Sequence, residues 1–288
     1  MSDKVSDKVW MVTGSSRGLG REIAVEALRH GDRVVATARD PAALSRLVDE
    51  FGDSVFPLKL DVTNYGEVLT AVEQGVSRFG KIDVLVNNAG YANLSSIEDM
   101  EIADFQDQVA ANFLGVVYTT KAVLPGMRER GRGSIINISS VGGRIGTAGL
   151  GAYQSAKFAV NGFAEVLAKE VASLGIKVTA VEPGGIATDW AGSSMKIPPI
   201  SEPYRPVIGA VAAHLQRMNA ATPEERVGQL SDPAKIAAVV RELTEMTDPP
   251  VRLLLGTTAY QLAQEGAKRL AESDMKHEAL SRSTVYTD

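Results

Sequence analysis

The sequence predicts an α/β protein built on a doubly wound, seven-stranded, mainly parallel sheet with helices on both faces. From Val9 onward, short β-branched segments alternate with longer helical patterns, which is the order that such a fold requires. Most of the short segments are continuous apolar runs, as in parallel strands that are buried on both faces. The chain has 288 residues, 44% of them hydrophobic, with no internal repeat or linker, so a single domain over residues 1–288 is expected.

The helices and strands are marked by local signals along the chain. Asp40-Pro41 and Asp232-Pro233 each place a capping aspartate before a proline in the first helical position, so a helix is expected to begin at both places. Four glycines lie where helices would end, because glycine tolerates the backbone that closes a helix: Gly31, Gly52, Gly80 and Gly175. The predicted strands are 9–13, 33–38, 55–60, 82–87, 134–139, 177–182 and 251–256.

Composition excludes several kinds of function. A net charge of −5 argues against nucleic acid or an anionic membrane as the main partner. The chain has no cysteine, which excludes disulfides, thiolate catalysis and cysteine-bound metal, and its three histidines show no metal-ligand spacing. Neither a signal-like segment nor an apolar run of membrane-spanning length occurs. A cytoplasmic location without a metal site is therefore expected.

Two segments depart from the regular alternation. The letters SDKV occur twice within the first nine residues, and residues 1–7 are expected to form a loose tail. Residues 190–230 contain Trp190, several prolines and a helical run near 207–218, and they follow the sixth strand at the carboxyl edge of the sheet. Their first part, 190–220, is interpreted either as a flexible cover over a substrate crevice or as a plain surface loop.

A glycine-rich turn, TGSSRGLG, follows the first strand and opens the first helix. Gly14 would permit a tight turn, Gly18 would let the backbone approach a pyrophosphate, and Gly20 would allow close helix packing. The helix N-terminus would then present free N–H groups to the anion. The motif predicts a dinucleotide site, although its spacing is looser than Gly-x-Gly-x-x-Gly and also suits a purely structural turn.

The same turn contains a competing motif. The letters GSSRG match the Gly-x-Ser-x-Gly elbow of serine hydrolases, with Ser16 as the nucleophile and His214 or His277 as the base. Such an elbow needs an earlier strand and loop to supply half of the oxyanion hole, and nothing structured is predicted before Val9. Hydrolysis also leaves Gly20 unexplained. The dinucleotide interpretation is therefore favoured over the hydrolase.

Polar motifs follow the later strands at the edge where open α/β sheets bind ligands. Tyr153 and Lys157 are four residues apart and share one helical face, although such a pair alone is as typical of an ordinary helix surface. Asn112 is isolated within a predicted helix, and Ser140 ends the fifth strand. The motifs in chain order are NNAG (87–90), VAANFLG (109–115), NISS (137–140), YQSAK (153–157) and EPGGIAT (182–188).

With these motifs in order and at matching spacing, residues 8 to about 190 resemble the short-chain dehydrogenase/reductase family, in its single-domain branch. The resemblance implies a Rossmann-type fold and an NAD(P)-dependent oxidoreductase acting on CH–OH and C=O groups. It implies reversible hydride transfer between nicotinamide and a ketone or secondary alcohol. A non-catalytic NADP-sensing protein is the other alternative, but such a protein has no need to keep Ser140, Tyr153 and Lys157 together. Family members commonly pair through helices, so a homodimer or homotetramer is expected, which light scattering would test.

The resemblance assigns a role to each catalytic candidate. Tyr153 would be the general acid/base, Lys157 its electrostatic partner and cofactor anchor, and Ser140 the donor that polarises the carbonyl. Asn112 would hold a proton-relay water. Two simpler interpretations stay open: Ser139 could take the place of Ser140, and Asn112 could bond a helix backbone.

A general acid/base role near neutral pH requires a lowered pKa of Tyr153. A phenol titrates near pH 10, so work near neutrality needs a shift of about three units, or ~4 kcal/mol. Lys157, with a nicotinamidium ring above, would place positive charge beside the phenolic oxygen and so favour phenolate.

The resemblance also implies a set of cofactor contacts. They are Gly14, Ser16, Arg17, Gly18, Leu19, Gly20, Arg39, Asp61, Val62, Asn88, Ala89, Gly90, Tyr153, Lys157, Pro183, Gly184, Ile186 and Thr188. Two guanidinium groups, from Arg17 and Arg39, suit a 2′-phosphate, so NADP(H) is favoured over NAD(H). Asp40 could instead take the ribose of NAD(H), but its position before a proline explains it as a helix cap. Asp61, expected near the adenine, could likewise be a cap.

The substrate pocket is expected to be bounded by the 190–220 cover and by four residues, Tyr91, Val141, Gly142 and Trp190. The cover contains more apolar than charged side chains, and no convergent Arg or Lys marks a carboxylate or phosphate substrate. An apolar or alicyclic ketone or secondary alcohol is therefore expected.

Overall fold

The structure is a computed structural model that describes residues 7–188 and 195–286. The predicted tail, apart from Asp7, lies outside the described residues. The first part of the predicted cover, including Trp190, lies outside them as well.

A seven-stranded sheet forms the centre of the described part of the chain. Its strands are β1 Val9–Thr13, β2 Arg33–Ala38, β3 Val55–Lys59, β4 Val84–Asn87, β5 Gly133–Ile138, β6 Ile176–Pro183 and β7 Arg252–Leu255. The order is β3-β2-β1-β4-β5-β6-β7, and all neighbouring strands are parallel. Each predicted strand is confirmed to within two residues at either end. The order reverses between β1 and β4, so a crevice for a ligand is expected beyond their carboxyl ends.

Helices cover both faces of the sheet, as predicted. They are α1 Gly18–Arg29, α2 Ser45–Phe51, α3 Tyr65–Phe79, α4 Ile102–Val109, α5 Gly115–Glu129, α6 Gly151–Val171, α7 Arg205–Ala220, α8 Pro223–Arg226, α9 Pro233–Glu245, α10 Thr257–Lys276 and α11 Glu278–Arg282. Because side chains alternate along a strand, Trp10 and Val12 enter a core shared with α1, α2 and α9. Val9 and Met11 enter the opposite core, shared with α3, α5 and α6.

The predicted capping signals work as the sequence indicates. Asp40 accepts a hydrogen bond from Ala42 N at 3.0 Å, and Asp232 accepts one from Ala234 N at 2.8 Å. The chain after Asp40 first forms a short 3₁₀ turn and only then α2. Gly80 closes α3 in the left-handed conformation, at φ +81°, which a larger residue would adopt only with strain.

The Asp32 side chain, directly before β2, binds two groups at the start of β1. Its Oδ2 accepts a hydrogen bond from the indole Nε1 of Trp10 at 2.8 Å, and its Oδ1 accepts one from the backbone N of Lys8 at 3.0 Å. Both Trp10 and Asp32 are buried. The carboxylate therefore satisfies two donors that no water reaches easily.

Asp32→Ala should lower the free energy of unfolding by about 2–4 kcal/mol, because each donor left without a partner costs ~1–3 kcal/mol. Urea denaturation followed by circular dichroism measures the change. Asp53→Ala is the control, since Asp53 is fully exposed and pairs only with Arg78 at the surface. Equal effects of the two substitutions would contradict the role given to Asp32.

Candidate active site

Hydrogen bonds tie the turn after β1 to the end of β2 and to the turn that follows β4. Ser15 N donates to Thr37 O at 3.0 Å, and Ser15 Oγ accepts from Thr37 N at 2.9 Å, which joins it to β2. Asn88 Nδ2 donates to the carbonyl oxygens of Thr13 and Gly14 at 3.0 and 3.1 Å, which joins it to β4. Thr13 Oγ1 accepts from the backbone N–H of Asn88 and of the next residue at 2.9 and 3.0 Å. These hydrogen bonds fix the glycine turn at the crevice.

Three glycines keep this turn narrow. Gly14 and Gly18 have φ of +68° and +55°, the region that glycine adopts without strain. A Cβ on Gly14 would lie 3.1 Å from Ala89 Cα, and a Cβ on Gly20 would lie 2.4 Å from the carbonyl oxygen of Gly14. A Cβ on Gly18 would lie 3.6 Å from Thr188 Cβ, so the segment after β6 faces the glycine turn. The structure therefore brings together residues predicted from three separate motifs.

The N-terminus of α1 opens into the same turn. The helix begins at Gly18 without a side-chain cap, and its first turn has no acidic residue. Its first N–H groups are therefore suited to an anion. The Leu19 side chain is buried in the core, so only the backbone of Leu19 belongs to the turn. The Ser16 side chain is half-buried.

Arg17 and Arg39 lie in adjacent segments of the chain. Ser15 lies two residues before Arg17 and Thr37 lies two residues before Arg39, and Ser15 and Thr37 are hydrogen-bonded to each other. Both arginine side chains are exposed. Asp40 is engaged in capping the helical turn that follows it. The structure thus places two cations beside an aspartate whose carboxylate is already hydrogen-bonded.

Asp61 and Val62 both have structural contacts of their own. Asp61 Oδ1 accepts hydrogen bonds from Thr63 N at 2.9 Å and from Thr63 Oγ1 at 2.8 Å, so the capping interpretation describes its contacts in this structure. Val62 is buried against the start of α5, where a Cβ on Gly115 would lie 2.8 Å from Val62 Cγ2. Contact of either residue with adenine stays a prediction.

Tyr153, Lys157 and Ser140 are brought together by α6 and the end of β5. Tyr153 and Lys157 lie on the buried face of α6 and expose only 8% and 5% of their surface. Lys157 Nζ lies 5.6 Å from the centroid of the Tyr153 ring and donates to the carbonyl oxygen of Ile138 at 2.7 Å. The Tyr153 hydroxyl and the Ser140 side chain are hydrogen-bonded.

Burial governs the ionisation of this pair. Desolvation raises the pKa of Tyr153 to about 12, although the hydrogen bond with Ser140 acts in the opposite direction. Desolvation also lowers the pKa of Lys157 to about 8. Burial therefore disfavours the charged form of both side chains. The expectation that Lys157 and a bound nicotinamidium ring favour phenolate stays a prediction.

The structure separates the two neighbouring serines. Ser140 begins a 3₁₀ turn, Val141–Gly143, and its Oγ accepts a hydrogen bond from Gly142 N at 3.0 Å. Ser139 is buried, and its Oγ points to the backbone oxygen of Lys157 at 3.4 Å. Ser140 is therefore the hydroxyl beside the phenol, and the alternative assignment to Ser139 is not supported.

Asn112 lies in a π-helical turn, Ala110–Leu114, between α4 and α5. Its Nδ2 donates to the carbonyl oxygens of Gln108 and Tyr91, both at 2.8 Å, so the helix-backbone bond expected as the alternative is present. Its Oδ1 is nevertheless buried with no hydrogen-bond partner among the described residues. A π turn of this kind is common at functional sites, and an unsatisfied buried oxygen is suited to a water.

Gly90 faces both Asn112 and Lys157. A Cβ on Gly90 would lie 2.4 Å from Asn112 Oδ1 and 3.8 Å from Lys157 Nζ, so only glycine fits there without displacing the asparagine. The absence of a side chain at Gly90 thus leaves the space that Asn112 Oδ1 occupies beside Lys157 Nζ.

The residues around Tyr153 are otherwise apolar. They form a buried cluster of Ala92, Leu94, Leu150, Met195, Ile208 and Ala212, against which five partly buried apolar side chains from residues 197–215 also pack. Its outer wall is tied down where Asn93 Oδ1 accepts from Lys196 N at 3.0 Å and Asp99 accepts from Ser201 Oγ at 2.9 Å. The described part of the predicted cover, from residue 195 onward, therefore packs beside the reacting phenol.

The four residues predicted to bound the substrate differ in position. Val141 packs against Ala259 and Ala263 of α10, and Gly142 lies against Gln154, where a Cβ would be 2.9 Å from Gln154 Nε2. Burial raises the pKa of Tyr91, helped by Asp104 and Asp107 and opposed by Arg39, so its hydroxyl faces charged groups. Trp190 lies outside the described residues. Contact of these residues with a substrate stays a prediction.

The segment after β6 is packed as closely as the glycine turn. Pro183 is the last residue of the strand, and a Cβ on Gly184 would lie 3.2 Å from the backbone N of Ala259 in α10. Ile186 forms an isolated bridge with Ser231. This segment therefore runs from the end of β6 back to the glycine turn, which Thr188 faces.

One charged cluster beside the site escaped sequence reasoning. Glu182 in β6 is fully buried and binds Arg144, Arg252 and Asn161. The available signal was an acidic residue directly after the apolar residues of a predicted strand, because a carboxylate buried there requires partners.

The hydrolase motif does not form a catalytic pair in the structure. His277 Nδ1 contacts the carbonyl oxygen of Ser273 within its own helix at 2.8 Å, and His214 is exposed on α7. In residues 7–188 and 195–286, no hydrogen bond joins Ser16 to either histidine. The region lacks the base that an elbow nucleophile needs.

A search of the described chain for two further features was negative. None of its helices has the length and apolarity that crossing a bilayer requires. No group of three or more His, Asp or Glu side chains there is arranged to hold a metal ion.

Comparisons with known proteins agree with this geometry. The profile of the family described as short chain dehydrogenase matches residues 8–197, which include every motif discussed above. The oxidoreductase BOA17 of Botryotinia fuckeliana is 52% identical over 275 residues, 95% of this chain and 98% of that protein. The crystal structure of a short-chain dehydrogenase from Streptomyces avermitilis has a TM-score of 0.89 at 36% identity, over 98% of this chain and 100% of its own. An alcohol dehydrogenase from the archaeon Thermococcus sibiricus, complexed with 5-hydroxy-NADP, has a TM-score of 0.72 at 26% identity, over 88% and 98%.

Proposed function

The chain belongs to the short-chain dehydrogenase family of NAD(P)-dependent oxidoreductases, and we propose that it transfers hydride reversibly between NADP(H) and an apolar ketone or secondary alcohol. Tyr153 is the general acid/base of this reaction. The observation that carries the proposal is the buried group of Ser140, Tyr153 and Lys157, with the phenol set against an apolar cluster at the carboxyl edge of the sheet.

The residues of the crevice fit a phosphorylated dinucleotide. The uncapped start of α1 at Gly18 would bind the pyrophosphate, and the Arg17 and Arg39 side chains would bind the 2′-phosphate. The segments Asn88–Gly90 and Pro183–Thr188 would line the rest of the cofactor crevice. This is supported by the close packing around Gly90 and Gly184, where a Cβ would meet neighbouring atoms. When bound, NADP(H) supplies or accepts the hydride.

Tyr153 moves the proton. Because its pKa of about 12 keeps the phenol protonated at neutral pH, it can donate that proton to the carbonyl oxygen as the carbonyl is reduced. Ser140 hydrogen-bonds the same oxygen while negative charge develops on it. In the oxidation direction Tyr153 accepts the proton instead, so it must first be deprotonated.

Lys157 stabilises the phenolate left by proton donation. Its pKa of about 8 keeps the ammonium mostly charged at neutral pH, although it is buried. The unsatisfied Oδ1 of Asn112 and the Lys157 Nζ face the same side of Gly90. A water held there by Asn112 would connect the ammonium to solvent and restore the proton on Tyr153.

An apolar substrate is supported by the side chains that surround the phenol. Leu94, Leu150, Met195 and Ile208 are all buried in the cluster that contains Tyr153. A charged substrate would lose its hydration there without gaining a partner, whereas an alicyclic or aliphatic ketone would gain apolar contact.

Tyr153→Phe should lower kcat for ketone reduction by about 10²–10⁴-fold, because general acid catalysis contributes that much. NADPH oxidation with a panel of alicyclic and aliphatic ketones measures the loss, and fluorescence titration should show NADPH binding within about threefold of the unaltered protein, since the phenol carries little of the binding. Tyr260→Phe, at an exposed position of α10, is the matched control.

Undiminished turnover in folded Tyr153→Phe would contradict the assigned role. Tight NADPH binding by the unaltered protein without reduction of any ketone in the panel would support the NADP-sensing alternative instead.

The pH profile should report the ionisation of Lys157. Below about pH 8 the ammonium is charged and able to stabilise phenolate, and above it the charge is lost. The kcat/KM for reduction should therefore be level near neutrality and fall by about tenfold per pH unit above pH 8, since this parameter reports the free enzyme. Tyr153, with its pKa of about 12, adds no second break below that range.

Lys157→Met is the comparison for this profile. It should be slow at all pH values and lack the break near pH 8. A break of equal size and position in Lys157→Met would show that another group is titrating.

Arg39→Ala should weaken NADPH binding by about 10- to 100-fold and leave NADH binding nearly unchanged, because a charge-assisted hydrogen bond contributes ~1.5–3 kcal/mol. Fluorescence titration with both nucleotides measures the difference. Arg46→Ala removes an equally exposed arginine from α2 and serves as the control. A preference of the unaltered protein for NADH would refute the assignment of Arg17 and Arg39.

A further inference from the structure

A carboxylate in the interior of the protein is held by two guanidinium groups near the active site. Glu182 exposes 0% of its surface. Its Oε2 accepts from Arg144 Nε at 2.6 Å and lies 2.5 Å from Arg144 Nη2. Its Oε1 accepts from Arg252 Nε at 2.8 Å, lies 2.6 Å from Arg252 Nη2, and accepts from Asn161 Nδ2 at 2.7 Å. Each carboxylate oxygen is thus gripped by one arginine.

The two arginines connect Glu182 to different parts of the fold. Arg144 ends the 3₁₀ turn that Ser140 begins, and its backbone N donates to Val141 O at 2.9 Å. Arg252 begins β7 and also binds the half-exposed Glu165 at 2.8 Å. Among the described residues, no hydrogen bond or ion pair joins the Arg252 side chain to the turn. One arm of the cluster therefore reaches the active site, and the other joins the edge of the sheet.

Asn161 adds a second attachment for the turn. Its Nδ2 donates to Gly143 O at 3.0 Å as well as to Glu182. Asn161 lies one helical turn beyond Lys157 on α6 and so shares its face. The end of the turn is consequently held by a side chain from the same helix face that carries the proposed catalytic pair.

Stability alone does not account for this arrangement. Burying charges costs desolvation energy, and apolar residues of similar volume often replace a buried ion pair without loss of stability. The position of Glu182 is fully buried and follows the apolar pair Ala180–Val181, so it would suit such a residue. The structure instead places a costly charge where it holds the last residue of the turn that carries Ser140.

We propose that Arg144, held by the buried Glu182, is a positioning residue that fixes the Ser140 turn relative to Tyr153. This rests on the function proposed above, because the orientation of Ser140 matters to the rate only if Ser140 polarises a carbonyl. Arg144 touches neither Ser140 Oγ nor the phenol and acts through the turn. Glu182 orients Arg144, and Glu165 balances the second positive charge of the cluster, that of Arg252.

Arg144→Gln is the main test, because Glu182 then keeps Arg252 and Asn161 as partners and Arg144 is 31% exposed. The kcat for ketone reduction should fall by about 10- to 100-fold, since a displacement near 1 Å of a reacting group can cost that much. The Kd for NADPH should stay within about twofold, since the turn makes no proposed contact with the dinucleotide phosphates. Arg144→Lys keeps the charge but loses the two-pronged grip, so it should recover part of the rate.

Glu165→Gln is the matched control. It removes a carboxylate that binds the outer arginine of the same cluster, but Glu165 is 49% exposed and does not touch the turn. Its kcat should equal that of the unaltered protein. Folding of every variant is checked by circular dichroism and thermal unfolding, and if Arg144→Gln does not fold, Arg144→Lys carries the test with an expected loss of about fivefold.

A double-mutant cycle distinguishes positioning from general destabilisation. In a Ser140→Ala background, where no hydroxyl remains to be positioned, Arg144→Gln should change kcat by less than about twofold. An equal loss in both backgrounds would overturn the inference while leaving the proposed function intact. If the unaltered protein reduces no ketone, the proposed function fails and this inference fails with it.

Discussion

The candidate active site depends on how closely the turn after β5 approaches α6. A Cβ on Gly143 would lie 2.4 Å from Asn161 Nδ2 and 2.8 Å from the carbonyl oxygen of Lys157, so no side chain fits between the two segments. Because of this approach, Ser140 reaches the Tyr153 hydroxyl and Lys157 Nζ reaches the end of β5. Tyr153 and Lys157 are both buried beside this contact, with 8% and 5% of their surface exposed.

Burial governs the ionisation of Tyr153 and Lys157. In water a lysine beside a tyrosine would favour phenolate, but in this site desolvation acts on both groups and favours the neutral form of each. The packing that brings Tyr153 and Lys157 together therefore also disfavours the charge on each of them.

Sequence reasoning succeeded where structure follows from local rules. The seven strands were predicted because parallel strands buried on both faces are continuous apolar runs, and Asp40 and Asp232 were predicted as caps because capping involves adjacent residues. It failed where the outcome depends on burial or on distant partners. The extent to which burial raises the pKa of Tyr153 has no local signal in the sequence, and Glu182 was overlooked because its arginines are 38 and 70 residues away.

The same distinction explains why the reaction class can be predicted from the sequence and the substrate cannot. The glycine turn and its neighbours are short motifs at the ends of strands, and their contacts follow from the parallel register of the sheet. The apolar wall beside Tyr153 has no motif, because it is assembled from Leu94, Leu150, Met195 and Ile208, which belong to four separate segments. Those segments are held by polar contacts such as Asn93 with Lys196, 103 residues apart, which look like ordinary loop residues in the sequence. The shape of the substrate pocket is therefore a property of the tertiary fold alone.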